Sequence, residues 1–533
     1  MTSLDLLAAL RRGAGVFGLL VCALQSAPAS AAEPFTASWE SLETSQCPDW
    51  FRDAKFGIWA HWGPQSVPMY GDWYARRMYE PEAKGGAYDY HLRTYGHPSK
   101  FGYKDIIARW RAEKFDPERL MDLYQAAGAR YFVSLAVHHD NFDLWNSKHQ
   151  PWNAVRMGPR RDIVGAWAAA ARRRGLKFGV SEHLGASFTW FQPSHGSDRT
   201  GPQAGVPYDG ANPEWQALYH RPAAAGDTSW YSVDEAWAKA WSARITDLVD
   251  QYQPDLLYSD GAIPFGETGR ALVAHFYNAA LARQPGSLQA VYTLKDLRTK
   301  PGHGDYREGV GVQDMERGRL AEINALPWQT DTSISDWFYN QNWKNKDTGT
   351  KYRSARWVVQ TLADVVSKNG NLLLNIIQRP DGALDPEVEQ LLADLARWMK
   401  VNGEAIHGTR PWRIFGEGPV RSAEGPRSRV EDFAFSAQDF RFTQSKDGRA
   451  VYAIALGRPT GSELQIRALG AGAGGKIETV ELLGSAASLH FKRDSDGLRA
   501  TLPAIPADVL VIALKISGTG LGLARPDGAA PAR

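Results

Sequence analysis

From about residue 50 onward, short apolar runs alternate with longer amphipathic ones. Eight runs rich in aliphatic, β-branched or aromatic residues read as strands: Phe56–Ala60, Tyr131–Val137, Leu176–Ser181, Asp255–Ser259, Ala290–Leu294, Val310–Asp314, Thr330–Ser335 and Leu372–Ile377. Between several of them lie helical patterns. Asp162–Arg174 is rich in Ala and Arg, Asp234–Asp250 spaces Trp237, Trp241, Ile245 and Leu248 along one face, and Ser354–Ser367 does the same with Trp357, Thr361, Leu362 and Val365. Glu387–Val401 gathers Val388, Leu391, Leu392, Leu395 and Trp398 on one stripe. Strand–helix alternation predicts a parallel sheet, and a count of eight predicts its closure into a (β/α)8-like barrel over residues 40–408.

After Trp412 the period changes. Short alternating runs at Val451–Leu456, Ile477–Leu483, Leu489–Lys492 and Val509–Ile516 are separated by Gly, Asp and Ser turns, which predicts a β-sandwich over 409–517. The Gly-, Pro- and Ala-rich residues 518–533 are expected to be a disordered tail. Within the barrel, Gln192–Trp230 is a long loop of the kind that covers sites.

At the other end, Arg11 and Arg12, the apolar run Gly13–Ala27 and the small residues Ala29-Ser30-Ala31 read as a signal peptide over 1–31, implying a secreted or periplasmic protein. A lipoprotein reading of Cys22 is disfavoured by the bulky Val21 before it. Cleavage would leave Cys47 as the single cysteine, so no intrachain disulfide is expected. No later segment offers about 18 uninterrupted apolar residues, so no membrane span is expected. A net charge of +2 argues against nucleic acid as a partner. The 20 Trp, 20 Tyr and 20 Phe supply a core, and they also suit a pocket in which rings stack on sugar faces.

Reactive groups of such a barrel gather at the C-terminal ends of its strands. Strand one ends in His61-Trp62-Gly63, strand two in His138-His139-Asp140, strand three in Ser181-Glu182-His183 and strand four in Ser259-Asp260-Gly261. The sixth ends near Asp314 and Glu316. Imidazoles that both donate and accept suit a polyhydroxylated ligand. Retaining glycoside cleavage needs one carboxylate to attack the anomeric carbon and a second to protonate the leaving oxygen. Asp260, ending the apolar Leu256-Leu257-Tyr258, fits the first role, although a strand-ending Asp that caps the next segment is an equally ordinary reading. Glu316 fits the second, against the reading of a surface Glu paired with Arg317 or Arg319. Adjacent strand residues point to opposite faces, so His138 and His139 do not easily share one metal ion. Asp140, His61 and Glu182 could complete a metal-hydrolase site, and a catalytically silent sugar-binding protein is a further alternative.

Three longer stretches resemble the α-L-fucosidases of glycoside hydrolase family 29. These are Trp50 to Gly63 with Ser66-Val67-Pro68 and Gly71-Asp72-Trp73-Tyr74; Val137 to Trp145; and Lys368 to Ile377, Pro380-Asp381-Gly382 and Lys400 to Trp412. The resemblance spans nearly all of the mature chain. It implies the barrel-plus-sandwich fold, exo-acting release of terminal α-L-fucose from oligosaccharides or glycoconjugates, retention of configuration, and no metal or other cofactor. Asp260, within Pro254 to Gly261, sits where the family places its nucleophile. His61, His138, His139, Trp73 and Asp72 match its substrate contacts, and Tyr258 and Glu182, at neighbouring strand ends, are expected to join them. Asp72 replaces the family's usual Glu, Tyr258 and Ser259 stand where Trp and Phe or Asn are common, and strand three has Ser181-Glu182-His183 where tyrosines are usual. The acid/base is assigned to Glu316, with Glu182 and Glu308 still open, and its pKa is expected to be raised by burial and by the charge of Asp260. Linkage preference and oligomeric state are not legible in the sequence.

Overall fold

The computed structural model describes residues 33–522 apart from 83–84, 347, 421–433, 460 and 486–487; the expected signal peptide lies outside the described residues. Eight parallel strands close into a barrel in chain order. They are β1 (Phe56–Ala60), β2 (Tyr131–Val137), β3 (Lys177–Glu182), β4 (Leu256–Ser259), β5 (Val291–Lys295), β6 (Val312–Asp314), β7 (Trp328–Ser333) and β8 (Gly370–Asn375). Closure is made by β1 against β8, with Phe56 opposite Leu372 and Trp59 opposite Asn375.

Around the barrel lie α1 (Pro117–Ala126), α2 (Ile163–Arg173), α3 (Glu235–Tyr252), α4 (Glu267–Arg283), α5 (Ala355–Ser367) and α6 (Pro386–Asn402); α2, α3, α5 and α6 follow the expected amphipathic segments, while α1 and α4 were not anticipated. Three of the starts have a plain local cause. The Asp162, Asp234 and Ser354 side chains accept the backbone N–H groups of Gly165, Trp237 and Trp357, satisfying donors that a first helical turn leaves open. Among the described residues no helix separates β5 from β6 or β6 from β7, so the barrel is irregular on that side.

Successive strand side chains alternate between the barrel interior and the helical layer. Trp59, Tyr131, Val133, Leu256, Tyr258, Val291, Val312 and Leu373 fill the interior as one apolar cluster. Such bulky rings fit because glycines face them: a Cβ on Gly57 would lie 2.3 Å from the Tyr131 ring, and one on Gly179 would lie 3.0 Å from Val133.

The C-terminal unit pairs a five-stranded antiparallel sheet with a three-stranded one. The larger holds β9 (Arg410–Glu417), β10 (Phe440–Gln444), β11 (Ala450–Ala455), β13 (Lys476–Leu482) and β16 (Ile512–Thr519); the smaller holds β12 (Glu463–Ile466), β14 (Phe491–Asp494) and β15 (Gly497–Thr501). Trp412, Phe440, Phe442, Leu464 and Leu498 share a core between them. The disordered tail expected from residue 518 begins too early. β16 continues through Thr519, because Gly518 can pass where a Cβ would meet the Lys476 carbonyl at 1.9 Å. Leu521 is buried, and its carbonyl accepts the Trp412 indole N–H at 2.9 Å. Residues 523–533 lie outside the described residues.

A buried charge cluster joins the two units. Asp364 of α5 accepts from Arg441 Nε of β10 at 2.6 Å and from Lys368 Nζ at 2.9 Å, with Arg319 3.6 Å away. Burial raises the Asp364 pKa, but these cations outweigh it and hold the carboxyl far below its usual value. Gln360 and Trp398 add hydrogen bonds to the Leu456 and Val511 carbonyls. Replacing Asp364 by Asn leaves buried cations facing a neutral amide. Asp364→Asn is expected to cost about 3–5 kcal/mol in urea unfolding, with the barrel mouth unaltered.

Candidate active site

The strand ends enclose a cavity of about 330 Å³ at the barrel mouth, at the small end for ligand sites. A larger hollow of about 620 Å³ lies in the C-terminal unit beside Glu417, Gln438 and Arg441, but it gathers no comparable cluster of imidazoles and carboxylates. The mouth is lined by Trp59, His61, Asp72, Trp73, His138, His183, Trp230, Tyr258, Asp260, Lys295, Glu316, Asp331 and Trp337, with Leu297, Lys300 and His303 from the loop after β5. Trp230, the last residue of the long loop after β3, thus reaches the site.

The alternation that fills the barrel also selects this wall. On β4, Leu256 and Tyr258 face inward, so Asp260 does too. On β1 the inward series Gly57, Trp59 leads to His61, and on β5 Val291, Thr293 leads to Lys295. On β3, Gly179 and Ser181 are inward, which brings His183 to the mouth and turns Glu182 outward. Glu182 is accordingly caged beneath α3: its oxygens accept from Ser259 Oγ at 2.6 Å, Leu184 N at 3.0 Å and Trp241 Nε1 at 3.2 Å. Glu182 is therefore not on the cavity wall, neither as a sugar contact nor as an acid. Glu308 is exposed and also off the wall. His183 and Lys295, which the sequence reading did not select, are on it.

Asp260 is held from two sides. Its Oδ1 accepts from Lys295 Nζ at 2.5 Å and lies 3.4 Å from the Tyr258 hydroxyl. His183 Nδ1 stands 2.9 Å and His139 Nε2 3.6 Å from its Oδ2. Burial raises the pKa of Asp260, but Lys295 and His183 outweigh it and hold the carboxyl well below its ordinary value, so it is ionised. Lys295 Nζ also donates to Glu316 Oε2 at 2.9 Å. That ammonium, more than burial, sets Glu316, whose side chain is 46% exposed: its pKa is lowered. This overturns the expectation of a raised acid/base pKa in the unliganded protein. Tyr258 donates to Asp331 Oδ2 at 2.8 Å, and burial lifts Asp331 to about 6. Burial and the charge of Asp331 push Asp314 well above the carboxylate range.

The opposite wall offers hydrogen-bonding groups without partners. His61 Nδ1 and Asp72 Oδ1 are buried and unpaired among the described residues, as groups awaiting a hydroxyl would be. Burial and the neighbouring Asp336 push the Asp72 pKa well up. Burial keeps His61 and His138 neutral, helped by neighbouring imidazoles. Ala75 N donates to Gln65 Oε1 at 3.3 Å, which turns the Gln65 amide nitrogen to His138 Nδ1 at 2.8 Å. His138 therefore accepts at Nδ1 and presents Nε2–H to the cavity, 3.8 Å from Asp72 Oδ1. His139 backs the wall, its Nδ1 donating to the His183 carbonyl. Trp73 adopts φ +62°, a left-handed conformation that side chains adopt only under constraint. It stacks on Trp230 at 6.0 Å, and Trp230 stacks in turn on His303 at 5.5 Å.

The imidazoles of His61, His138 and His183 bring one nitrogen each within 4.8 Å of the others, and His139, His183 and Asp260 form a second such group. Those are the sets that could hold a metal. The set considered from sequence is not assembled, because Tyr103 takes Asp140 and Glu182 is caged. Imidazole ¹⁵N spectra should show His138 protonated at Nε2 and bare at Nδ1, unchanged between about pH 5 and 8; a second protonation in that range would contradict the assignment.

The profile of the family described as "Alpha-L-fucosidase" matches residues 22–404, and that of the "Alpha-L-fucosidase C-terminal domain" matches 435–516. The chain is 30% identical to the human plasma α-L-fucosidase over 506 residues, covering 89% of this chain and 90% of that one. It is 28% identical to the rat tissue α-L-fucosidase over 503 residues, covering 92% and 94%. The structure of the Thermotoga maritima α-fucosidase in complex with fucose superposes with a TM-score of 0.67 at 28% identity, over 90% of this chain and all of that one. With a barrel mouth of histidines and paired acids, an antiparallel C-terminal unit and matches over both, the chain belongs to the α-L-fucosidases of glycoside hydrolase family 29.

Proposed function

We propose that the protein releases terminal α-L-fucose from oligosaccharides or glycoconjugates with net retention, through a covalent fucosyl-enzyme on Asp260. The observation that carries this reading is the pair of carboxylates at the cavity floor. Asp260 and Glu316 both touch the Lys295 ammonium, at 2.5 and 2.9 Å, so their nearest oxygens lie within the ~5–5.5 Å spacing of double-displacement glycosidases. An inverting pair needs about 6.5–9.5 Å to leave room for water. The cavity admits about one sugar ring, which fits exo-acting release.

In this reading His61, His138 and Asp72 hold the sugar hydroxyls, while Trp73 and Trp337 offer carbon surface to its methyl group and ring face. Asp260 attacks C1 with one oxygen while the other keeps its contact to the wall. Glu316 protonates the leaving oxygen and then takes a proton from water. In the free enzyme Lys295 keeps Glu316 ionised. A leaving sugar that covers its half-exposed carboxyl raises its proton affinity when the proton is needed. Export of the enzyme to the periplasm or medium is part of the same proposal, supported by the basic, apolar and small-residue pattern of residues 1–31.

Asp260→Gly should lower turnover of a nitrophenyl α-L-fucoside by about 10⁴-fold or more with the melting temperature preserved. A fluorinated fucosyl donor should add one sugar mass to the wild type, mapped to the peptide holding Asp260; a label elsewhere removes the nucleophile assignment. Glu316→Ala should impair substrates with poor leaving groups about 10²–10⁴-fold, spare activated ones, and regain rate in azide as an α-fucosyl azide, formed when azide displaces Asp260 from the β-linked ester. Azide rescue of Glu182→Ala in its place would transfer the role.

A further inference from the structure

We propose that Lys295 is the positioning residue that couples the two carboxylates: its ammonium stays in contact with whichever of Asp260 and Glu316 carries the negative charge through the reaction. This rests on the double-displacement reading above. The geometry is direct, since a single buried nitrogen reaches Asp260 Oδ1 at 2.5 Å and Glu316 Oε2 at 2.9 Å. Its β5 position fixes it there, because Val291 and Thr293 precede it on the inward face and its backbone N–H donates to the Gly261 carbonyl at 2.8 Å. The ammonium also lies 5.9 Å over the Tyr258 ring.

The charge accounting gives the coupling its meaning. In the first step an Asp260 oxygen forms a bond to C1. The bond from C1 to the leaving oxygen breaks, its electron pair stays on that oxygen, and the Glu316 proton neutralises it. Asp260 ends as a neutral ester and Glu316 as a carboxylate, so one negative charge has moved from one partner of Lys295 to the other. The second step returns it: Glu316 takes the proton of the attacking water, the ester bond breaks, and Asp260 recovers its charge. A cation near only one carboxylate would favour one step and oppose the other. One that touches both opposes neither, and it does so in a water-poor site where an unpaired charge is costly.

The surrounding groups keep Lys295 protonated throughout. Asp260 and Tyr258 face it from β4, His183 from β3, Asp314 and Glu316 from β6 and Asp331 from β7; burial opposes its charge, but the carboxyls, Asp260 and Glu316 foremost, raise its pKa well above the ordinary value. Arg317 beside Glu316 is the second cation acting on that carboxyl.

The test is the pH profile of kcat/KM for Lys295→Met, Lys295→Gln and Lys295→Arg. Removing the cation raises the pKa of both carboxyls. Activity needs Asp260 ionised and Glu316 protonated, so the basic limb, set by Glu316, should move up by about one pH unit or more in the Met and Gln variants. Their rates of sugar transfer to and from the enzyme should both fall, each by about 10²–10³-fold. Lys295→Arg, which keeps the charge, should keep the limb near its wild-type position. An unmoved basic limb in Met and Gln, or loss of one step alone, would overturn the proposal. So would failure of all three variants to fold by thermal melting, since Lys295 would then be a structural cation. Failure of the wild type to form a fucosyl-ester at Asp260 is a separate result, and it would remove the underlying mechanism instead.

Discussion

A closed barrel has one interior, and each strand can send only every second side chain into it. That constraint organises the whole molecule. Below the mouth the inward positions must be mutually fitted and their few polar groups paired, which is why Tyr131 lies against Gly57 and bonds Gln329, and why Val133 and Leu256 flank Gly179. One further step along the same series reaches the rim, where the next inward residue meets solvent or substrate. His61, His183, Asp260, Lys295 and Glu316 are the continuations of five such series, and each is carried by a strand whose lower residues are locked by packing. The placement of the mouth residues is therefore set by the packing beneath them.

The electrostatics follow from that crowding. Four carboxyls converge on one ammonium in a space with little water, so they cannot all be ionised alike. Asp260, contacted by Lys295 and His183, takes the low extreme, Asp314 the high one, and Asp331 lies between at about 6. Across the cavity, burial removes charge from the imidazoles and lets Gln65 choose the tautomer of His138. One wall is charged and tightly paired, while the other is neutral and partly unpaired. That division suits a ligand whose reacting carbon must meet an anion while its hydroxyls meet donors and acceptors.

Much of this was legible in the sequence. All eight barrel strands were found, because each leaves a short apolar or β-branched run, although no helix flanks β6, and the rim residues His61, His138 and Asp260 followed from where those runs stop. The misses have physical causes. Glu182 was selected over His183 on residue type, although counting inward positions from Gly179 gives the opposite answer. Lys295 was not singled out, since it lies just past the run Ala290–Leu294 and only its two carboxylate neighbours, distant in sequence, give it a role. In the C-terminal unit β10 was missed because Phe440–Gln444 is buried on both faces yet carries Arg441, Thr443 and Gln444. Arg441 and Thr443 face the barrel, where Asp364 and the Ala405 carbonyl receive them, and the alternation Phe440-Arg441-Phe442-Thr443 is too short to mark a buried strand.

The seam that hides β10 also bears on how the two units can change. Asp364 and Lys368 belong to the barrel side and Arg441 to the sheet side, and the one carboxylate receives both cations where all three side chains are buried. A C-terminal unit transplanted from a relative would bring its own residue to position 441 and leave the host acid with a stranger. An exchange between family members that separates these residues keeps the seam intact only where the incoming unit supplies a cation at position 441.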